Sequence, residues 1–218
     1  MAGHAAMVHR MDQGIGRIVA KLDELGLLPD TVILLLSDNG ASPERPETFG
    51  PGFDRASHLR DGTPIIYPTR KQVLPGPENT FAGIGPVWTS VANTPFRFWK
   101  RESYEGGIAT PFIVHWPKGL KLKPGSVTYQ VGHVIDLMPT CLGLAGIHYP
   151  ETWQGPHLTP LEGRSLVPIF EGRHRAGHAV LFWEHMGGRA VRQGHWKLVA
   201  LPGRPWELYD LRTDRTET

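Results

Sequence analysis

The sequence contains almost no cysteine, since Cys141 is the only one among its 218 residues. A single cysteine excludes an internal disulfide and any metal site built from several cysteines, and it leaves the redox compartment open. Long apolar runs are missing too, because none approaches the ~20 residues that a transmembrane helix needs. The first residues, Met1 to His4, show no basic segment followed by an apolar one, so no signal peptide is visible.

A strong net charge is likewise absent. The formal charge is +2 with neutral histidine, which is too balanced to indicate a nucleic acid or a membrane surface as partner. Hydrophobic residues make up 40% and charged residues 20% of the chain, proportions typical of a globular protein that buries a core. The 26 glycines and 20 prolines favour long irregular connections over a compact helical bundle.

The beginning of the chain has the pattern of one α/β layer. Residues 8–25 are predicted to form a helix, because apolar residues recur there at steps of three and four, and Gly26 is placed to cap it. Residues 31–36 follow as an apolar, partly β-branched run, which predicts a strand buried on both faces, as in a parallel sheet. The apolar stripe of the helix comprises Met11, Ile15, Ile18, Leu22 and Leu25.

Residues 41–97 lose all periodicity and are rich in proline and glycine. A loop of this length in a compact domain is usually disordered or functional. Its aromatic side chains, Phe81 and Trp88 among them, argue against simple disorder. We therefore predict an ordered excursion over the active edge of the sheet, with its most polar part, residues 50–70, mobile.

A second strand and a second helix follow this loop. Residues 110–116 contain an apolar run that Pro117 ends, which predicts a core strand. Asp136 is predicted to be the N-cap of the next helix, which Gly146 ends. Cys141 lies among the apolar residues of this helix, so the sequence predicts a buried small hydrophobic side chain there and not a nucleophile.

The last part of the chain reads as a small antiparallel sheet. Glycine-containing turns separate four short runs with strand character. We predict that residues 1–170 belong to an α/β core and that residues 171–218 form this separate subdomain. The four runs are residues 179–183, 189–192, 196–201 and 206–211.

Asp38 and Asn39 end the first predicted strand, within the sequence Ser37-Asp38-Asn39-Gly40. In open α/β sheets ligands bind beyond the carboxyl ends of the strands. A carboxylate beside a carboxamide offers hard oxygen donors, which suit Ca²⁺ or Mg²⁺. The same four residues are also typical of an ordinary turn, and the tetrapeptide alone favours that simpler interpretation.

Five segments together resemble the carboxy-terminal half of an arylsulfatase-like sulfatase, in the alkaline-phosphatase-like superfamily. Their order and spacing fit that family over nearly the whole chain. The resemblance implies a partial α/β/α sandwich followed by a small antiparallel sheet. The segments are Met11-Asp12, Ser37-Asp38-Asn39-Gly40, Asn93-Thr94-Pro95-Phe96-Arg97, Lys100 with Tyr104-Glu105-Gly106-Gly107-Ile108-Ala109-Thr110-Pro111, and Trp206-Glu207-Leu208-Tyr209-Asp210-Leu211.

The resemblance also implies roles for particular residues. Asp38 and Asn39 would be two ligands of an active-site Ca²⁺, with Mg²⁺ a poorer fit, and Lys100 would contact the sulfate group. The implied substrate is a sulfated small molecule or glycan, and neither nucleic acid nor a membrane is an implied partner. Glu105 is expected to serve structure near the Gly-Gly turn. Among the histidines, His115 and His133 are possible neighbours of the site, although histidines packed at the edge of an element are commoner.

The nucleophile of such enzymes is absent from this chain. Sulfatases of this type convert a cysteine or serine within Cys/Ser-x-Pro-x-Arg to formylglycine, and Cys141 does not match that motif. We therefore expect a fragment that lacks the amino-terminal half, which is a candidate partner, and that does not hydrolyse sulfate esters alone. The alternatives are a phosphodiesterase or phosphonate monoester hydrolase of the same superfamily, and a non-catalytic domain that binds a sulfated glycan. By analogy with the family, the expected location is periplasmic or extracellular.

Overall fold

The computed structural model describes residues 1–45, 56–67 and 74–218. These residues form two compact units that are interleaved along the chain. The first unit comprises Met1–Lys21, Leu35–Ile113 and Val180–Thr218, and the second comprises Leu22–Leu34 and Val114–Ala179. The domain boundary at residue 170 stays a prediction. Within the described part of the chain, no helix has the length and apolar character needed to cross a membrane.

The first helix, α1, spans Ala2–Glu24 and confirms the helix that the apolar periodicity predicts. It begins six residues earlier than the stripe suggested and ends where Gly26 adopts a φ of +68°. None of its residues is buried, and the side chains of Met11 and Ile18 are 58% and 64% exposed. The apolar stripe thus exists, but the described residues leave much of it uncovered.

Strands β1, Ile33–Leu36, and β2, Phe112–His115, form a two-stranded sheet. Both were predicted, but the expectation that β1 is buried on both faces is wrong. Leu35 and Leu36 are 42% and 37% exposed. The faces of a strand are buried only where other elements pack over them, and among the described residues Leu34 is the part of β1 that packs against a buried core.

Two short helices lie between these strands: α2 spans Gly85–Ala92 and α3 spans Glu105–Ile108. Neither was predicted, because proline and glycine obscure any period in this region. Isolated bridges, such as the one between His58 and Pro64, order described residues of this loop, as predicted. The part predicted to be mobile, residues 50–70, lies partly outside the described residues.

The second compact unit is built around α4, Leu137–Ala145, and α5, Val167–Phe170. Gly146 caps α4 with a φ of +67°, as predicted. Cys141 is exposed, so the prediction that it is buried is wrong. The packed side of α4 carries other residues, and its contacts with the core come from Leu137 and Leu144. The buried core consists of Leu166, Ile169 and Phe170, with Leu34, Val114, Leu120, Leu137 and Leu144 packed around it.

Asp136 is the N-cap residue of α4, as predicted, but its side chain makes no capping hydrogen bond to the helix. Its carboxylate is fully buried and accepts hydrogen bonds from the backbone amides of His133, at 2.9 Å, and Arg164, at 2.8 Å. It also pairs with the Arg175 guanidinium at 2.8 Å and with His178 Nε2 at 2.6 Å. Burial alone would raise the pKa of Asp136, but these hydrogen bonds outweigh burial and hold the pKa below its usual value.

The predicted antiparallel sheet is confirmed, with four strands in the order β3-β4-β5-β6. Its turns contain Gly187 and Gly194, both at positive φ. On one face Ala190 and Val199 pack against the buried ring of Tyr104. The strands are β3 Leu181–His185, β4 Gly188–Gln193, β5 Trp196–Ala200 and β6 Glu207–Asp210.

Replacing Asp136 by asparagine should strongly destabilise the protein. The Arg175 side chain is only 3% exposed, and the neutral amide leaves its buried charge without a partner, which costs about 3–5 kcal/mol. Urea unfolding followed by tryptophan fluorescence measures the loss. The matched control is Asp30→Asn, which breaks the exposed ion pair with Lys118 and should cost about 0–1 kcal/mol. Equal losses in the two variants would contradict the assignment.

Wild type and Asp136→Asn also test how the stability contribution of Asp136 depends on pH. Because the folded pKa of Asp136 is lowered, its contribution is complete above the unfolded pKa of about 3.9 and disappears as the pH falls through the folded value. The stability difference between wild type and Asp136→Asn should therefore shrink in this acid range. A difference that stays constant down to the lowest pH would show that Asp136 does not titrate as described.

Candidate functional site

Asp38 and Asn39 lie just beyond the end of β1, in a turn closed by the Ser37 hydroxyl, which donates to the Asn39 carbonyl at 2.8 Å. The carboxylate of Asp38 is exposed and makes no hydrogen bond or ion pair with the described residues. Asn39 is half-buried. The segment is thus the turn that its composition predicts, and this turn leaves carboxylate oxygen atoms available to a ligand.

Backbone hydrogen bonds connect this turn to the segment that carries Lys100. The Gly40 amide donates to the Gly107 carbonyl at 3.0 Å, and the Lys100 amide donates to the Ala41 carbonyl at 3.0 Å. The residues that directly follow Asp38 and Asn39 are therefore bonded to both ends of the segment from Lys100 to Gly107. Two of the segments on which the family resemblance depends lie side by side.

Asn93 supports this arrangement with its side chain. Its Oδ1 accepts a hydrogen bond from the Ala41 amide at 2.9 Å, and its Nδ2 donates to the Phe98 carbonyl at 3.0 Å. The carboxamide provides the acceptor and the donor from two separate atoms of one side chain. The asparagine of the Asn93-Thr94-Pro95 motif thus joins the backbone after β1 to the start of the Lys100 segment, a role that was not predicted from the sequence.

Three glycines allow these backbone segments to touch. A Cβ atom on Gly40 would overlap the carbonyl oxygen of Gly106. A Cβ atom on Gly106 would overlap the carbonyl oxygen of Arg97, and one on Gly107 that of Glu102. The Gly-Gly pair is therefore required by close backbone packing.

Lys100 is half-buried, and its nearest charged partner among the described residues is Glu44. Lys100 Nζ lies 3.7 Å from Glu44 Oε1, and the two side chains are 38% and 20% exposed. This separation is longer than a normal hydrogen bond, so the ammonium is attracted to the carboxylate without being fixed by it. Glu44 was not predicted, because it is distant from Lys100 in the sequence and no local pattern points to it.

Glu105 belongs to a buried group of three charges. Lys197 Nζ lies 2.9 Å from Glu105 Oε1 and 2.7 Å from Glu217 Oε1, and the Glu105 amide donates to Glu217 Oε2 at 2.6 Å. Burial raises the pKa of Glu217, although Lys197 opposes this effect. The arrangement agrees with the structural role expected for Glu105. Lys197 and Glu217 were not predicted from the sequence. Lys197 lies two residues before the buried Val199 in β5, and this spacing places both side chains on the inner face of the strand.

Arg97 links the Lys100 segment to the four-stranded sheet. Its Nη1 donates to Glu207 Oε2 at 2.9 Å and to the Tyr209 hydroxyl at 3.0 Å, and its guanidinium lies 5.0 Å from the Tyr104 ring centre. Burial and hydrogen bonding to Glu207 raise the pKa of Tyr104 and raise that of Tyr209 to about 12. Both phenols therefore stay protonated at neutral pH and contribute packing and hydrogen bonds.

His115 and His133 were the two histidines considered as possible neighbours of the site. His133 lies in the second compact unit, where its Nδ1 accepts from the Ile135 amide at 3.3 Å and burial lowers its pKa. His115 is exposed at the end of β2. Across the described ranges, no cluster of three or more histidine, cysteine, aspartate or glutamate side chains could hold a metal ion. Asp38 and Asn39 would therefore provide only part of a cation site.

Two protein-family models match the chain. The model named Sulfatase matches residues 1–147, and the model of the carboxy-terminal part of N-sulphoglucosamine sulphohydrolase matches residues 96–218. The two matches together cover all 218 residues and overlap at the segment that carries Lys100.

Curated relatives include an uncharacterised sulfatase of Schizosaccharomyces pombe, 31% identical over 100% of this chain and 39% of the relative. The steryl-sulfatase of Mus musculus is 31% identical over 80% of this chain and 21% of its own length. The arylsulfatase of Klebsiella aerogenes is 29% identical over 83% of this chain and 37% of its own length. The chain thus spans about two-fifths or less of each of these relatives.

Solved structures show the same fold. Ps i-CgsB, solved in complex with k-i-k-neocarrahexaose, matches 97% of this chain with a TM-score of 0.64 and 22% identity. A protein solved with its substrate D-glucosamine-2-N,6-O-disulfate matches 96% with a TM-score of 0.60 and 20% identity. The phosphonate monoester hydrolase of Agrobacterium radiobacter matches with a TM-score of 0.52 and 19% identity. These matches confirm the predicted alkaline-phosphatase-like α/β architecture.

Replacing Gly40 by alanine should destabilise the first compact unit by about 1–3 kcal/mol, because the new methyl group forces the Gly106 backbone away. Thermal unfolding followed by circular dichroism measures the loss. The control is Gly16→Ala in α1, where a Cβ atom meets nothing within 4 Å and the change should stabilise the helix by about 0.5–1 kcal/mol. A Gly40→Ala protein as stable as wild type would contradict the close contact.

Proposed function

Since the chain belongs to the sulfatase family, we propose that it supplies the cation-binding and sulfate-binding part of a sulfuric ester hydrolase. In this proposal Asp38 and Asn39 hold Ca²⁺ and Lys100 binds the sulfate group. One observation carries it: the backbone after Asp38 and Asn39 is hydrogen-bonded to both ends of the Lys100 segment, at Ala41 and Gly40. The residues with suitable chemistry therefore stand on adjoining segments.

The donor atoms at the turn fit a calcium ion. The Asp38 carboxylate is exposed and makes no hydrogen bond or ion pair with the described residues, and the Asn39 amide adds a neutral oxygen. Ca²⁺ accepts six to eight oxygen ligands in flexible geometry, whereas Mg²⁺ demands a near-ideal octahedron, so an irregular turn suits Ca²⁺ better. When bound, Ca²⁺ supplies positive charge beside the sulfate oxygens.

Lys100 contributes the second positive charge. Its ammonium donates hydrogen bonds to sulfate oxygens and stabilises the negative charge that develops on them as the S–O bond breaks. Glu44 attracts the ammonium before the substrate arrives, at 3.7 Å, and the sulfate group, which offers three oxygen acceptors, replaces it. Lys100 is therefore available to substrate at little cost in broken hydrogen bonds.

The substrate class follows from chemistry and from the relatives. The curated relatives carry the names steryl-sulfatase and arylsulfatase, and one structural neighbour was solved with its disulfated glucosamine substrate. We infer a sulfated small molecule or glycan as the substrate. The chain contains no Cys/Ser-x-Pro-x-Arg motif, so the formylglycine nucleophile belongs to a separate amino-terminal half in this proposal, and the 218 residues alone do not hydrolyse sulfate esters.

The coding sequence upstream of Met1 tests the catalytic part of this proposal. We expect an in-frame extension with a Cys/Ser-x-Pro-x-Arg motif, and an extended protein that hydrolyses a chromogenic aryl sulfate while the 218-residue chain does not. In the extended protein, Asp38→Ala and Lys100→Ala should each lower kcat about 10²–10³-fold, as expected for lost charge stabilisation.

The control for these variants is Lys118→Ala, which removes an exposed lysine paired with Asp30 and should leave kcat unchanged. Hydrolysis by the 218-residue chain alone would overturn the need for an amino-terminal half. An extended protein that cleaves phosphonate monoesters faster than sulfate esters would instead favour the other branch of the superfamily.

Chemical labelling of lysine tests sulfate binding without any hydrolysis. Inorganic sulfate should slow the acylation of Lys100 in the 218-residue chain about threefold at twice its Kd, because the bound fraction is protected. Mass spectrometry measures the acylation rates of Lys100 and of the reference Lys118. In the control, sodium chloride of equal ionic strength replaces the sulfate. Added Ca²⁺ should strengthen the protection, and Asp38→Ala should remove that increase. Sulfate binding that depends neither on Ca²⁺ nor on the presence of Lys100, as measured with Lys100→Ala, would favour a non-catalytic glycan-binding domain.

A further inference from the structure

We propose that Glu217 and Lys197 are positioning residues that hold Lys100 in place. They act through the loop from Arg97 to Gly106, to which Lys100 belongs. The role of Lys100 itself rests on the proposed function, whereas the contacts of Glu217 and Lys197 stand independently of it.

The loop that carries Lys100 is closed by its own backbone. The Gly106 amide donates to the Arg97 carbonyl at 2.9 Å, so the residues between them form one connected turn. The Lys100 amide is bonded to Ala41 at 3.0 Å, which ties the middle of the turn to the backbone after β1. The position of Lys100 therefore depends on the positions of Arg97 and of the residues next to Gly106.

Glu217 contacts both ends of this loop. Its Oε2 accepts the Glu105 amide at 2.6 Å, and its backbone carbonyl accepts from Arg97 Nη1 at 3.1 Å. A residue far away in the sequence thus holds the entrance and the exit of the turn at a fixed separation. No other described residue is bonded to both Arg97 and Glu105 in this way.

Lys197 fixes the Glu217 carboxylate in turn. Its ammonium lies between Glu217 Oε1 at 2.7 Å and Glu105 Oε1 at 2.9 Å, and the side chains of Lys197 and Glu217 are 0% exposed. Buried charges tolerate little displacement, because each lost contact leaves a charge without compensation in a medium of low polarity. The three charges therefore act as a rigid clamp on the loop, here called the Glu217 clamp, formed by Glu105, Lys197 and Glu217.

Glutamine at position 217 is the sharpest test of the Glu217 clamp. In the Glu217 carboxylate one oxygen accepts the Glu105 amide and the other faces the Lys197 ammonium as an ion pair, whereas an amide has one oxygen and must turn its NH₂ group toward either Lys197 or the Glu105 amide. One contact is therefore lost in Glu217→Gln. The fold should survive, because one ammonium then faces one carboxylate, that of Glu105, and the buried charges balance.

We would measure the acylation rate of Lys100 in the 218-residue chain by mass spectrometry, without sulfate. In Glu217→Gln the rate should rise about threefold or more relative to Lys118 and Lys121, because local opening of the loop exposes the half-buried Lys100 side chain. Lys118 and Lys121 are already exposed and serve as internal references for the reagent, so unchanged amide exchange outside residues 98–107 is what separates positioning from general destabilisation. The matched control, Glu184→Gln on the exposed β3–β4 hairpin, should leave the ratio unchanged.

Amide hydrogen exchange provides a second readout. Exchange of residues 98–107 should accelerate in Glu217→Gln while exchange of α4 stays as in wild type. Lys197→Met should produce the same two changes; if it does not fold, Glu217→Gln decides alone. A Lys100 rate and a loop exchange equal to wild type in folded Glu217→Gln would overturn the proposal. Because sulfate is absent, this outcome is distinct from failure of Lys100 to bind sulfate, which would overturn the proposed function instead.

Discussion

A buried ammonium group needs negative partners, and this requirement organises the first compact unit. Lys197 is fully buried on the inner face of β5, where Glu105 and Glu217 meet it within 2.9 Å. Each carboxylate comes from a different part of the chain, so satisfying the lysine brings three segments to one point. The hydrophobic packing of Tyr104, Ala190 and Val199 lies in the same unit and excludes water from it. Exclusion of water makes the ionic contacts strong and makes any error in their geometry costly.

Close backbone packing is the second constraint. Gly40, Gly106 and Gly107 leave no room for side chains, and Asn93 joins the two segments with one acceptor and one donor. These residues explain why Ser-Asp-Asn-Gly and Tyr-Glu-Gly-Gly occur in one chain: the glycine of the first segment fits against the glycines of the second. The residues that remain exposed between them, Asp38 above all, are those with oxygen atoms to offer a cation.

The elements that were predicted correctly depend on local patterns. Apolar residues at a helical period predicted α1, and short runs between glycine-containing turns predicted β3 to β6. Gly26 and Gly146 end their helices because glycine adopts a positive φ readily. The failures depend on distant partners. Asp136 is the N-cap residue that was predicted, but its carboxylate bonds to Arg175 and His178 and not to the helix, and Cys141 was predicted to be buried although it is exposed. Glu44 and Glu217 had no local signal, because only the folded chain brings them to Lys100 and Lys197.

Two lysines of the same unit show how the fold separates structure from availability. Lys197 has two carboxylates within 2.9 Å and no exposed surface, so a ligand would have to replace two strong contacts to reach it. Lys100 has one carboxylate at 3.7 Å and a side chain that is 38% exposed, so an anion that reaches it has only one long ionic contact to replace. Both lysines are connected to Glu105. The Lys197 ammonium contacts the Glu105 side chain, and Lys100 belongs to the loop that leads into α3, which begins at Glu105. In our proposal the well-satisfied lysine holds the backbone from which the poorly satisfied lysine extends toward a sulfate group.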